Sequence, residues 1–358
     1  MKVVIFTLAY NAEKTVRRTI ESVLSQSYKN FEYFIVDNGS TDKTGEIIAE
    51  YYEDERVVPL HIRLNDPTNG GVFFNMLINS TDAKYIVWLD ADDEYTPDFL
   101  ENMVEFAEEN QLDLTACGYD MINGETNELM KRRVAEESFV VEGDLFSERF
   151  IDYRGFMMVL WAKLYSVAFL KKRENGTWQG KSSGYVAFWD AMHMHELCYK
   201  ASRIGIYGKS MHRYYQYPRS LTREQIGASV KGFKAYHRVA KEFLEKYGPL
   251  SEQNIGFLHA IFMSLVEEFV GYIFLAETTF ERKIELLTEV FDDCRWTELL
   301  KYKADPQFRI LLRREEYVEK IKNSILELEG ADIHTEKIST LLAYLTGAKK
   351  GKEDTEEV

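Results

Sequence analysis

The first hundred residues alternate short apolar runs with stretches of helical periodicity, and this alternation limits the fold more than any other feature. The continuous apolar run at 3–6 is typical of a strand buried on both faces, and the largely apolar segments 31–36, 57–62 and 84–89 are predicted to be further strands. Between them, apolar residues recur at helical spacing. This β-α-β alternation predicts an α/β fold whose mostly parallel sheet is flanked by helices.

The character of the chain changes near Arg223. Residues 112–141 still read as strands with an Asn123-Gly124 turn, and helical stripes follow at 145–170 and 188–201. Beyond Arg223, helix formers dominate and strand patterns vanish. The chain of 358 residues is therefore expected to have an α/β domain at 1–225, an all-α domain at 226–348 and a charged, disordered tail at 349–358.

Charge and cysteine content exclude several classes of protein. The net charge of −15 argues against nucleic acid as a partner, since phosphate neutralisation needs a cationic face. The three cysteines are too few and too widely spaced for a disulfide scaffold or a cysteine zinc site. A reducing, cytoplasmic compartment is the default expectation.

The longest apolar stretch, at 257–276, is interpreted as part of a helix-bundle core. A membrane-spanning helix needs about 20 mostly apolar residues, and Glu267 and Glu268 stand in the middle of this one. Two alternatives stay open for its aromatic stripe. It could form a homodimer seam, or make a peripheral membrane contact that presents a lipid-linked acceptor at the inner face of the membrane.

Polar residues follow three of the predicted strands: Tyr10-Asn11, Asp37-Asn38, and the run from Asp90 to Asp93. Ligands of parallel α/β sheets bind outside the carboxyl ends of the strands, so these groups are expected to share one crevice. Three carboxylates within four residues repel one another unless a cation is present. Mg²⁺ or Mn²⁺, which prefer oxygen ligands, suit this cluster, and a solvated turn that caps the next helix is the alternative.

Several ordered segments resemble the inverting family-2 glycosyltransferases of GT-A fold. The similarity covers about residues 1–225 and rests on the set taken in order, since each motif is weak alone. The segments are 4–11, 22–28 (SVLSQSY), 36–42 (VDNGSTD), 85–100, 161–165 (WAKLY), Trp189-Asp190 and 214–222 (YYQYPRSLT).

The resemblance implies a nucleotide-sugar donor, bound at the strand ends. The turn at Asp37-Asn38 would hold the base, and an oxygen acceptor there suits the N3–H of uracil, which favours a UDP-sugar. The implied donor-binding residues are Ala9, Tyr10, Asn11, Asp37, Asn38, Asn75, Asp90, Ala91, Arg219 and Ser220.

The resemblance also implies a metal site and a general base. Asp92, with Asp90 and His212, would hold Mn²⁺ or Mg²⁺ against the diphosphate. Asp190 would take the proton of the acceptor hydroxyl, although it could instead cap the helix that follows. The sequence departs from the family at Leu8, where proline is usual, and at Trp189, where an acid is usual. The helix at 71–75 also lacks the usual cation for the diphosphate.

The sequence therefore predicts a metal-dependent, inverting transfer of a sugar to a hydroxyl of a glycan or lipid-linked acceptor, as in polysaccharide biosynthesis. The alternative is a catalytically inactive, glycosyltransferase-like nucleotide-binding or assembly module. The retained carboxylates Asp90, Asp92 and Asp190 argue for the enzyme.

Overall fold

The computed structural model describes residues 1–63, 65, 70–172, 189–217, 226–303, 305–328 and 336–352, with the backbone alone at 189, 192, 226–233 and 235. Within these ranges, residues 1–217 form one compact unit and residues 226–352 form a second, and each is described by itself. The predicted domain boundary at residue 225 lies outside the described residues.

The first unit is built on one mixed sheet. Its strands follow the spatial order β3-β2-β1-β4-β9-β6-β10-β5, with β7 beside β6 and β8 beside β10. In chain order they are β1 (Val3–Ala9), β2 (Phe31–Asn38), β3 (Val57–Ile62), β4 (Tyr85–Trp88), β5 (Glu94–Tyr95), β6 (Leu114–Asn123), β7 (Leu129–Arg133), β8 (Phe139–Glu142), β9 (Lys163–Ser166) and β10 (Arg203–Gln216).

The first four long strands are parallel, and their carboxyl ends meet at one edge as the sequence predicts. Ala9 pairs with Asp37 in register, and Asp37 pairs with His61 on β3. On the other side of β1, Phe6 pairs with Trp88 at the end of β4. The residues that follow β1, β2 and β4 therefore emerge side by side.

The other half of the sheet combines the long parallel pair of β6 and β10 with several antiparallel pairs, so the sheet is mixed. β9 runs antiparallel to both β4 and β6. The predicted helical stripe at 145–170 is therefore wrong at Lys163–Ser166. A four-residue strand with nearly every side chain buried is too short to show a period of its own, so the neighbouring helices dominate the pattern.

Helices cover the sheet of the first unit. They are α1 (Val16–Leu24), α2 (Thr44–Ala49), α3 (Gly71–Ser80), α4 (Phe99–Asn110), α5 (Leu145–Glu148), α6 (Phe150–Arg154), α7 (Val167–Lys171) and α8 (Trp189–Lys200). Gly70, which precedes α3, has a positive φ of 78°, and a Cβ there would lie 3.1 Å from the Leu8 side chain. This close approach seats α3 near the end of β1.

The described part of the second unit is helical, and the predicted fold class of an α/β sheet followed by an all-α region is confirmed. Its helices are α9 (Ile226–Glu245), α10 (Glu252–Leu275), α11 (Phe280–Phe291), α12 (Cys294–Lys301), α13 (Arg309–Leu312), α14 (Arg314–Glu327) and α15 (Glu336–Leu345). The core centres on the buried face of α10, which includes Leu258, Phe262, Val266 and Phe269.

Helix α10 also passes a membrane-span test by length and composition. It is the one such helix found in the described ranges, and 56% of its apolar window is buried in the molecule. A buried core helix passes the same test, so this result is weak support for membrane insertion.

Residues 349–352 of the predicted tail contact the helical unit. Lys352 forms an isolated parallel bridge with Asp293, and its backbone oxygen accepts from Cys294 N at 2.9 Å. Gly351 makes this approach sterically feasible, because a Cβ there would lie 2.2 Å from Asp293 N. Residues 353–358 lie outside the described residues.

Candidate functional site

The acidic loop 90–93 follows β4, and α1 holds it in place. Three side chains of α1 and its N-cap donate hydrogen bonds to successive carbonyls of this loop: Thr15 to Ala91 (2.9 Å), Arg18 to Asp92 (2.6 Å) and Thr19 to Asp93 (2.9 Å). With the backbone fixed in this way, the Asp side chains project from a rigid base.

Just beyond the acidic loop, Gln26 ties α1 to the start of α4. Its side chain is fully buried, donates to the Thr96 carbonyl at 2.7 Å and accepts from Leu100 N at 3.0 Å. Gln26 belongs to the motif at 22–28, so that motif has a structural role behind the acidic loop.

Four carboxylates gather where β4 ends. Burial raises the pKa of Asp90 well above its usual range, and the carboxylates of Asp93, Asp92 and Asp190 raise it further. Burial also raises the pKa of Asp92. Trp88 Nε1 donates to Asp90 Oδ1 at 2.7 Å and opposes the shift. Because Asp190 comes from α8, the fold brings this predicted base near the acidic loop from a distant part of the chain.

Asp93 does not face the crevice as an independent ligand. One of its oxygens accepts from Tyr215 N at 3.0 Å, and the other lies 2.8 Å from His212 Nε2. Both side chains of the Asp93–His212 pair are fully buried. Burial lowers the pKa of His212 to about 3, so the ring is neutral at pH 7.

The second ring nitrogen of His212 is available to a ligand. Its Nδ1 is buried and has no hydrogen-bond partner among the described residues. When Nε2 carries the proton toward Asp93, Nδ1 keeps a lone pair. An aromatic column holds the ring: His212 stacks on Trp161 (4.6 Å between centroids), and Trp161 stacks on Tyr214 (4.8 Å).

The structure does not assemble a closed set of metal ligands. Within the ranges described, no group of three or more His, Cys, Asp and Glu side chains is placed to hold a metal ion. The predicted trio of Asp90, Asp92 and His212 is therefore not a preformed protein cage. Mg²⁺ in phosphate-binding enzymes usually takes only one or two carboxylates and completes its shell with substrate oxygens and water.

The turns after β1 and β2 hold each other. Asn11, at φ 49°, donates its backbone N–H to Ser40 Oγ (3.0 Å), and its side-chain oxygen accepts from Thr41 N (2.9 Å). Asp37 is buried; Oδ1 accepts from Ser40 N at 3.0 Å, and Oδ2 lies 3.2 Å from His61 Nδ1. Sequence analysis missed His61, a lone histidine in a strand with no motif around it.

The remaining predicted donor residues have varied surroundings. Ala9 is buried at the end of β1, whereas the ring of Tyr10 is 48% exposed beside it. Asn38 is buried and donates from Nδ2 to Asn65 Oδ1 at 2.9 Å. Asn75 lies on α3 and is half-buried. Arg219 and Ser220 fall in the segment 218–225, outside the described residues.

The WAKLY segment buries a lysine close to the predicted base. Ala162 has a φ of 57°, which turns the chain into β9, and Lys163 is fully buried with Nζ 3.0 Å from the Trp161 carbonyl. Burial lowers the pKa of Lys163 to about 7, while the nearby Asp190 carboxylate opposes that shift. Sequence analysis quoted this segment but gave Lys163 no role.

Comparison with known proteins identifies the first unit. Residues 4–170 match Glycosyl transferase family 2. The first unit carries a family-2 glycosyltransferase domain. The predicted family is therefore confirmed, although Asp190, His212 and the segment at 214–222 lie beyond the matched residues.

Relatives of known sequence match about a third or more of the chain. TuaG of Bacillus subtilis (strain 168), provisionally named a teichuronic acid biosynthesis glycosyltransferase, is 32% identical over 142 residues, which are 39% of this chain and 56% of TuaG. Glycosyltransferase GlyA of Streptococcus pneumoniae is 30% identical over 125 residues, which are 34% of this chain and 17% of GlyA. The chain thus spans about half or less of these relatives.

The similarity of fold to solved structures also includes the helical region. S. aureus TarS 1–349 in complex with UDP-GlcNAc has a TM-score of 0.61, with 15% sequence identity, 97% of this chain covered and 91% of that chain. The same protein in complex with UDP has a TM-score of 0.56, with 18% identity, and the match covers 82% of this chain and 80% of that one. These likenesses support a GT-A-like fold.

Proposed function

We propose that this chain transfers a sugar from a nucleotide diphosphate sugar, with a UDP-sugar favoured, to a hydroxyl of a glycan or lipid-linked acceptor, with inversion. The family-2 domain at 4–170 supports the reaction class. The observation that carries the proposal is the approach of Asp190 to the acidic loop, since its carboxylate raises the pKa of Asp90. The proposed base would then stand near the acidic loop that would face the phosphates. Because nucleotide sugars are cytoplasmic metabolites, we place the reaction in the cytoplasm.

The turns after β1 and β2 suit the nucleoside. The Asp37 oxygens already accept from Ser40 N and contact His61, but each carboxylate oxygen has a second lone pair that can accept the N3–H of uracil. Cytosine carries an acceptor at that position and would leave it unpaired. The exposed ring of Tyr10 can stack on the base.

The residues present fit a divalent cation. Asp92 would hold it directly, and Asp90 would hold it or one of its waters. The buried Nδ1 of His212, in the tautomer with the proton on Nε2, would join them only on binding, since the described residues form no preformed group of three ligands. Bound Mn²⁺ or Mg²⁺ would neutralise charge that develops on the leaving diphosphate.

Asp190 suits the role of general base. It lies in the first turn of α8 and is half-buried. In the proposed step, the acceptor oxygen forms a bond to the anomeric carbon as the bond from that carbon to the diphosphate oxygen breaks. The acceptor proton passes to Asp190, and UDP leaves with the electron pair. Attack from the face opposite the diphosphate inverts the anomeric centre.

The test compares Asp190→Asn with a control at an exposed carboxylate, Asp152→Asn on α6. UDP release from UDP-GlcNAc and other UDP-sugars, with and without candidate acceptors, should fall by about 10²–10⁴-fold in Asp190→Asn, because general-base assistance is worth that much. UDP affinity should stay unchanged, and NMR should find the product anomer opposite to that of the donor.

Three results would contradict parts of the proposal. Near wild-type turnover in Asp190→Asn would place the base elsewhere, and retention of configuration would exclude direct inversion. UDP binding without any turnover of a UDP-sugar panel would favour the inactive nucleotide-binding module.

A further inference from the structure

A chain of three hydrogen-bonded side chains leads away from the turn after β2. Asp37, near the end of β2, is the register partner of His61 on β3. Asp37 Oδ2 lies 3.2 Å from His61 Nδ1, and His61 Nε2 lies 2.7 Å from the hydroxyl of Tyr52, which follows α2. The carboxylate proposed to receive the nucleotide base is therefore one end of a chain that has had no role so far.

The partners of His61 fix the direction of its hydrogen bonds. A carboxylate only accepts, so Nδ1 has to carry a proton; otherwise two lone pairs would face each other at 3.2 Å. A neutral ring then accepts from the Tyr52 hydroxyl at Nε2, and a protonated ring donates to the same hydroxyl, because a hydroxyl can do both. The Nδ1–H group therefore points at Asp37 in either charge state of the ring.

Both oxygens of Asp37 are held by donors from different elements. Oδ1 accepts from Ser40 N at 3.0 Å in the turn after β2, and Oδ2 accepts from His61 on β3. Two donors fix the plane of the carboxylate, and each oxygen keeps a second lone pair for a ligand. Asp37 thus presents its remaining acceptor sites in one fixed orientation.

Gly45, in the first turn of α2, gives this pair the space it needs. A Cβ at Gly45 would lie 2.8 Å from Asp37 Oδ2 and 3.4 Å from the His61 ring. Glycine is unfavourable inside a helix, yet it stands at the position where any side chain would press on the Asp37 carboxylate. The packing of α2 is therefore compatible with one arrangement of Asp37 and His61.

The protonation state of this carboxylate decides which pyrimidine it accepts. N3 of uracil carries a hydrogen that a carboxylate can accept, whereas N3 of cytosine is itself an acceptor and would face the lone pairs of Asp37. A site built to receive a hydrogen bond rejects an analogue that lacks the donor. Without the Nδ1–H of His61, Oδ2 would be free to turn or to take a proton, and a protonated carboxyl group could donate to cytosine.

We propose that His61 is a positioning residue for the nucleotide base, which fixes Asp37 as the acceptor that selects uracil over cytosine. Tyr52 holds the ring from its other nitrogen, so it supports the same role from one bond further away. This inference rests on the proposed function, in which Asp37 accepts the N3–H of the base.

The experiment titrates the full chain with UDP and with CDP in Mn²⁺ by calorimetry. The two nucleotides share the ribose and the diphosphate, so the ratio of their affinities isolates the base. The wild type should bind UDP about tenfold or more tightly than CDP, and His61→Leu should lose about tenfold in UDP affinity with little change for CDP. The side chain of His61 is 38% exposed, so this substitution should leave the fold intact.

Conservative variants separate positioning from a merely structural role. His61→Asn offers an amide N–H in place of Nδ1–H and should keep most of the preference for UDP. Tyr52→Phe should lower UDP affinity by only about two- to threefold, because the Nδ1–H group remains. The control Tyr51→Phe removes the neighbouring hydroxyl, which donates to Glu21 at 3.2 Å, and should change neither affinity.

Two more variants and spectra test the same pair from other directions. Gly45→Ala keeps every donor but crowds Oδ2, so it should also reduce the preference for UDP, with the melting temperature recorded to detect unfolding. Long-range ¹H–¹⁵N NMR of the ligand-free chain, with the ring signals assigned by their loss in His61→Asn, should show a proton on Nδ1. A ring protonated on Nε2 alone would overturn the proposal.

The remaining outcomes distinguish this proposal from the proposed function. If UDP binds and UDP-sugar is turned over while His61→Leu keeps the wild-type ratio of affinities, His61 is only structural and this proposal alone fails. If the wild type binds neither nucleotide, the proposed UDP-sugar donor fails and this proposal fails with it.

Discussion

The two units differ in whether their buried polar side chains have hydrogen-bond partners. Behind the acidic loop of the first unit, Gln26 and Asp93 have their hydrogen bonds made by nearby backbone and side-chain groups. In the described part of the helical unit, His237 and His259 line a cavity of about 350 Å³, with a ring nitrogen each left without a partner. The first arrangement holds a site rigid before any ligand arrives, whereas the second carries the cost of two unsatisfied nitrogens.

The largest effect should come from Asp92, because among the described residues it is the predicted metal ligand whose carboxylate makes no hydrogen bond to a neighbouring side chain. Asp92→Ala should lower the affinity for UDP in Mn²⁺ by about 100-fold, as expected when a metal–diphosphate contact is lost. Calorimetry measures this, and Asp82→Ala on the exposed surface is the control. Equal UDP affinity of the wild type in EDTA and in Mn²⁺ would remove the metal from the proposal.

The next prediction separates His212 from its partner Asp93. His212→Phe keeps an aromatic ring against Trp161 but loses Nδ1, and Asp93→Asn loses the carboxylate that orients the imidazole. Both variants should bind Mn²⁺ about 10–100-fold more weakly in the presence of UDP, the usual cost of disturbing an orienting partner. Unchanged Mn²⁺ affinity in His212→Phe would make this histidine purely structural.

Much of the first unit could be predicted because its site follows a regular topology. Parallel strands with short connections bring their carboxyl ends to one edge, so Asn11, Asp37 and Asp90 could be grouped from the sequence alone. His61 and Lys163 could not, because one is a lone polar residue in a strand and the other lies in a strand too short to show a period. Their roles come from pairing partners that are distant in the chain.

The cavity of the helical unit was beyond sequence analysis for a related reason. His237 and His259 lie on separate helices, α9 and α10, and only tertiary packing brings them into one lining. On each helix the histidine resembles an ordinary core or surface position. A helix bundle has no edge at which functional residues must collect, so nothing in the local pattern marks them.

A substitution at Gln26 tests whether the hydrogen bonds behind the acidic loop stabilise the first unit. Gln26→Leu removes its hydrogen bonds to the Thr96 carbonyl and from Leu100 N and leaves buried backbone groups unsatisfied. The variant should lose about 1–3 kcal/mol of unfolding free energy, measured by urea denaturation of the full chain. The exposed variant Ser25→Ala serves as the control. A fully stable Gln26→Leu would mean that the loop does not depend on this support.

Lys163 should give a smaller effect with a characteristic pH dependence. Its pKa is about 7 in the folded state against 10.5 when unfolded, so between these values the unfolded chain holds more protons and stability rises with pH. Lys163→Met removes the buried ammonium and should raise stability at neutral pH by about 1–2 kcal/mol, with a gain that shrinks as the pH approaches 10. If the difference in unfolding free energy between Lys163→Met and the wild type were the same at pH 7 and at pH 10, the lysine would not be desolvated.

The smallest expected change concerns the independence of the two units, and hydrogen–deuterium exchange on the full chain measures it. UDP with Mn²⁺ should slow exchange at the turns after β1, β2 and β4 and leave α9, α10 and α12 within error of the ligand-free rates. The reason is physical: the donor contacts proposed among the described residues come from the first unit. Local protection reports where a ligand contacts the backbone or stabilises it. Protection of α9 and α10 by UDP alone would mean that the helical unit helps to build the donor site. The assignment of the donor site to the first unit alone would then be wrong.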